Sequence, residues 1–121
     1  MITPFAKALT EAREKVEGGL AISLIGLDGI AIETQKVRED VPIESLAAEL
    51  GTFVRSIRLT NTELHLGDVE QFSLVTDRYV TFLSEVTEDY FVLMVLDRNG
   101  NYGRARFELS KLKFKLKDEL V

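Results

Sequence analysis

The stretch from residue 69 to 97 constrains the fold most. Three β-forming segments, 69–75, 79–86 and 90–97, are parted only by Thr76-Asp77-Arg78 and Thr87-Glu88-Asp89. Breaks this short cannot hold the crossover that parallel neighbours need, so the segments predict successive antiparallel hairpins. An earlier pair, 20–27 and 30–35, flanks Asp28-Gly29. That dipeptide favours a tight hairpin turn with both residues at positive φ. Around these five strands the apolar spacing switches to the helical period. Phe5, Ala8, Leu9, Ala12 and Val16 form one stripe, with Thr3 as candidate cap, Pro4 at the first helical position and Gly18-Gly19 as the stop. Ile43, Leu46, Ala47, Leu50, Val54 and Ile57 form a longer one, opened by Asp40 and Pro42 and closed at Gly67.

The last segment reads two ways. Ala105, Leu109, Leu112 and Leu116 make a helical stripe, while Lys111 to Lys117 alternates as a strand does. Its length and the helix propensity of Leu, Lys and Glu decide for helix. The expected order is αββαβββα, an α/β (α+β) single domain over residues 1–121, its sheet holding core residues such as Leu20, Ile22, Leu24, Phe72, Leu74, Phe82, Val92 and Met94.

Composition narrows the function. A net charge of −5 argues against a nucleic-acid surface, which needs concentrated basic charge. With no cysteine and only His65, thiolate and histidine-cluster metal sites are excluded. His65 falls near a helix end, where solvation or capping is its ordinary role. The acidic pairs Glu39/Asp40 and Glu88/Asp89 lie in turns and lack EF-hand spacing. No serine sits in a G-x-S-x-G turn, and no phosphate-binding G-x-x-x-x-G-K-[ST] loop exists. The chain is therefore expected to have no catalytic residues and no cofactor. Residues 1–5 lack a basic, apolar leader pattern, and the apolar runs near 20–27 and 90–96 are far shorter than the ~20 residues of a membrane span. The expectation is a cytoplasmic protein without stable membrane insertion.

Two blocks carry a family resemblance. One is Gly19-Leu-Ala-Ile-Ser-Leu-Ile-Gly-Leu-Asp-Gly-Ile-Ala-Ile-Glu33; the other is Phe91-Val-Leu-Met-Val-Leu-Asp97 followed by Asn101-Tyr-Gly-Arg-Ala-Arg-Phe-Glu-Leu109. With the element order, they resemble the Roadblock / dynein light chain superfamily, and in particular its bacterial MglB-like members. That resemblance implies a profilin-like five-stranded antiparallel sheet with helices on both faces. It also implies a homodimer built through the middle helix and the strand after it, acting on a Ras-like small GTPase as activator or scaffold without catalytic residues of its own. The basic stretch 104–117 and the Phe107/Phe114 pair depart from the family pattern.

Two surfaces follow as candidates. Ala48, Thr52, Arg55 and Leu59 form a second stripe on the middle helix. By residues alone it is equally a solvent face; the resemblance makes it the expected dimer interface. Arg58, Phe107, Phe114, Lys113 and Lys115 are the candidate partner surface, Arg55 and Arg58 leaving room for an arginine finger. The Lys-rich terminal helix also permits weak adsorption to an anionic membrane. A different class of function, a small-molecule-sensing PAS-like regulatory domain, requires a sizeable cavity between helix and sheet.

Overall fold

The computed structural model describes residues 3–120, so the expectation about a leader at residues 1–5 lies partly outside them. Five strands, β1 (Gly19–Gly26), β2 (Ala31–Lys36), β3 (Gln71–Val75), β4 (Tyr79–Thr87) and β5 (Tyr90–Asp97), form one antiparallel sheet in the order β2-β1-β5-β4-β3. Helices α1 (Ala6–Glu14) and α3 (Tyr102–Lys117) cover one face, and α2 (Ile43–Leu64) covers the other. The expected profilin-like arrangement and the element order are both present, with a short 3-10 turn at Asp118–Leu120.

Strand β5 explains the layering. Its side chains alternate between faces, as a strand's must. Val92, Met94 and Leu96 join Ile22, Leu24, Phe82, Leu9 and Leu109 in one core. Phe91, Leu93 and Val95 join Ile25, Leu83, Ile43, Ala47 and Val54 in the other. A strand apolar on both faces needs helices on both, which is why the chain leaves the sheet after β2 and returns at β3.

Several local expectations are corrected. Asp28 does not take positive φ; among these turn residues only Gly29 does, at +84°. The Gly29 N–H donates to the Gly26 carbonyl at 2.9 Å, so the turn spans four residues with glycine last, the longer hairpin loop rather than the two-residue one. Thr3 does not cap α1, which begins at Ala6. Its hydroxyl accepts from the Phe5 N–H and donates to Glu33 Oε1 at 2.6 Å, tying the chain to β2. That hydrogen bond, chiefly, holds the Glu33 carboxyl below its ordinary pKa, so the stability it adds is present at neutral pH and fades as acid protonates it. Asp40 does not cap α2 either, because its carboxylate is taken by Arg38 at 3.0 Å. Helix α2 ends at His65 rather than Gly67. His65 adopts the left-handed conformation (φ 57°) that histidine tolerates better than most residues, and its N–H returns to the Asn61 carbonyl.

Gly29 also fixes α2 on the sheet. A Cβ added there would lie 2.9 Å from the Ala48 Cα, and one added at Gly51 would lie 3.2 Å from the Gly29 Cα. The hairpin turn thus packs backbone to backbone on the helix. This accounts for a buried glycine in mid-helix, which ordinarily costs ~1 kcal/mol relative to alanine. Gly29→Ala is expected to destabilise by ~2 kcal/mol or more, through both its φ and the clash. Gly67→Ala, at φ +88° with open space around it, is expected to cost only about 1 kcal/mol. Urea unfolding of the two variants checks this; equal losses would show that the helix–hairpin contact is not close.

Candidate functional site

The expected dimer stripe is exposed, but its residues are unequal. Arg55 donates one guanidinium nitrogen to the Leu27 carbonyl of the β1–β2 turn and the other to the Thr52 hydroxyl at 3.1 Å. Ala48 flanks the Gly29 contact. Three of the four residues therefore border the hairpin, and Leu59, 72% exposed, is the large apolar one among them.

Most of the uncovered apolar surface of α2 lies on its other flank. Phe53, 47% exposed, meets the half-buried Phe72 of β3 edge to face at 5.3 Å. Leu64 and Leu66 are exposed at the end of the helix, as is Leu74 on the same face of β3 as Phe72. Leu74 is thus not the core residue expected of it, and Phe72 packs only partly buried against the second core. Helix α2 lies nearest β1, and β3 is the sheet's edge, so nothing among the described residues covers their outer sides. Sequence reasoning missed this strip because its residues count as core under strand alternation; only the position of α2 across the sheet separates them.

Arg58, one of the candidate partner residues, has contacts within the chain. Its guanidinium lies 5.1 Å from the centre of the Phe91 ring and pairs with Glu85 at 3.3 Å, both side chains mostly buried. It also lines an open groove of about 600 Å³ with Asn61, His65, Asp68 and Glu88. The groove is polar and lies at the outer end of α2, whereas the space between helix and sheet is filled by the second core, so the cavity a ligand sensor needs is not found there.

The second candidate surface is the outer side of α3. Asn101 caps this helix by accepting from the Arg104 N–H, and Ala105, Leu109, Leu112 and Leu116 are buried, as expected. Phe107 and Phe114 point outward, 54% and 73% exposed. Lys113 and Phe114 border a shallow groove against Gln71 and Ser84, while Lys115 is exposed on the opposite flank. The candidate residues therefore divide between two faces of the sheet, Arg58 with α2 and the others with α3.

The sheet, with one long helix on one face and the terminal helices on the other, has the profilin-like arrangement. No protein-family model matches the sequence, and no curated protein matches it. Solved structures do. A Roadblock/LC7 domain from Streptomyces avermitilis superposes with a TM-score of 0.86 over 98% of both chains at 16% identity. MglC from Myxococcus xanthus gives 0.69 over 97% of this chain and 99% of that one at 28% identity. MglB from the same organism gives 0.84 over 98% of both at 12%. The chain has the fold of these Roadblock/LC7 and Mgl structures, and it is similar to the bacterial MglB and MglC proteins.

The contrast between the two arginines is testable. Arg58→Ala strands Glu85 against the sheet and is expected to cost ~1–2 kcal/mol. Arg55→Ala, at an exposed turn contact, is expected to stay within ~1 kcal/mol. Chemical unfolding ranks them; the reverse order would mean that Arg58 is free to serve a partner.

Proposed function

We propose that the chain is a non-enzymatic homodimeric regulatory module that binds a Ras-like small GTPase. The observation that carries the dimer is the bare apolar strip of Phe53, Leu64, Phe72 and Leu74 beside the open outer edge of β3. Such an edge invites pairing with another chain, and a second copy brings an identical edge and an identical strip. Self-association also has a precedent in the fold, since one similar MglB structure has a tetrameric arrangement.

The GTPase reading rests on the likeness to MglB-type proteins, running from the sequence motifs through the whole fold. The internal duties of Arg55 and Arg58 favour regulation by docking or scaffolding over an inserted arginine finger, because both guanidinium groups already have partners within the chain. Among the described residues, no helix is long and apolar enough to cross a membrane. We take the module to act in the cytoplasm.

Light scattering is expected to return about twice the 13.6 kDa chain mass at micromolar concentration. Thr52→Arg and Leu74→Lys, both at exposed positions, should yield folded monomers that no longer bind or stimulate a Ras-like GTPase encoded beside this gene. A wild-type monomer at ~100 μM would remove the dimer, since obligate interfaces hold well below that concentration. A dimer indifferent to that GTPase would remove the partner.

A further inference from the structure

The outer side of α3, which the sequence offers as a partner surface, carries an arrangement that the dimer does not use. Phe107 and Phe114 lie seven residues apart, about 10 Å along the helix, and form its crest. Arg104, Lys111 and Lys115 follow at steps of seven and four along one flank, and Arg106, Lys113 and Lys117 follow at the same steps along the other. The crest is thus bracketed on both sides by cations. Arg104 and Lys111 sit 5.6 and 5.3 Å from the Phe107 ring centre, steered there by the buried carboxylate of Glu108, which lies 2.9 and 3.7 Å from them. Arg106, Lys113, Lys115 and Lys117 pair with no acid among the described residues.

The charge is set apart from the rest of the chain. Residues 104–117 hold six basic residues and one acid, a net +5, while the remaining nine basic and nineteen acidic residues give −10. The helix dipole favours only the last turn's cations, so Arg104 and Arg106 at the opposite end are not explained by it. Nor does the crest serve the fold, since both rings point away from the core.

We propose that this crest adsorbs reversibly to an anionic lipid surface. A convex ridge with aromatic residues at the top and cations on both flanks matches a laterally uniform, negatively charged plane. The rings reach the headgroup level while the Lys and Arg stems spread to either side. A protein partner would instead engage anchors set in a pocket, whereas Phe107 stands exposed and Phe114 borders no more than a shallow groove with Lys113. Each cation near such a surface strengthens binding about fivefold, so several together hold without insertion of the helix. Because α3 and α2 lie on opposite faces of the sheet, the crest and the apolar α2–β3 strip face opposite ways.

The test is co-sedimentation of the whole chain with phosphatidylcholine vesicles, with and without about one-third phosphatidylglycerol, at low salt. Binding to the anionic vesicles alone, released as salt approaches ~0.5 M, is expected. Lys113→Glu with Lys115→Glu should weaken it at least twentyfold, and Phe107→Ala with Phe114→Ala about tenfold. Arg38→Glu with Arg78→Glu removes equal charge from the far end of the sheet and should change it less than threefold. Circular dichroism verifies that each variant is folded; every substituted side chain lies at the surface. Absence of binding to anionic vesicles overturns the proposal, as does an equal loss in the Arg38/Arg78 variant, which would reduce the effect to net charge. Crest-dependent binding to polyglutamate without binding to vesicles also overturns it, in favour of an acidic protein partner.

Discussion

Burial of β5 on both faces is the constraint on which the rest of the structure depends. From Phe91 to Leu96 every side chain is buried, three supplied to each core. One layer of helices would leave half of them in water, each costing roughly 1.5–3 kcal/mol of lost burial. Helices must therefore lie on both sides, and the chain must carry one across after its first hairpin. The Gly29–Gly51 contact sets where that helix rests: close against the β1–β2 turn, on the side of the sheet away from β3.

That placement decides what is left bare. With α2 drawn toward β1, the outer sides of Phe53, Phe72 and Leu74 and the backbone edge of β3 lack a cover among the described residues. On the other face, α3 lies over β4 and sends its two phenylalanines outward among lysines and arginines. The two unpartnered surfaces differ in chemistry. One is apolar beside an open strand edge, suited to a second copy; the other is basic with aromatic residues, suited to a negatively charged plane. The two arginines of α2 have contacts within the chain, Arg55 with the hairpin and Arg58 with Phe91 and Glu85.

Much of the fold was legible in the sequence because it rests on periodicity. The three-residue breaks before Tyr79 and Tyr90 forced hairpins, and the Ala105, Leu109, Leu112, Leu116 stripe settled α3 against the competing alternation. What failed was local chemistry with a tertiary cause. Asp40 reads as a cap until Arg38 takes its carboxylate, and Thr3 reads as one until Glu33 takes its hydroxyl. The proposed interface was half legible. The small residues Ala48 and Thr52 were visible as a stripe, but the strip of Phe53, Phe72 and Leu74 was not. Helix and strand patterns mark residues as apolar without saying which element fails to reach them.

Amide hydrogen exchange along β3 tests the central claim most directly, because it reads the bare edge itself. If a second copy covers it, the outward-facing amides of Gln71 to Val75 are expected to exchange slowly at high protein concentration and to lose that protection on dilution, while those of β5 stay protected throughout. Fast exchange of β3 at every concentration would contradict the account, leaving the edge open to water and the apolar strip without its proposed partner.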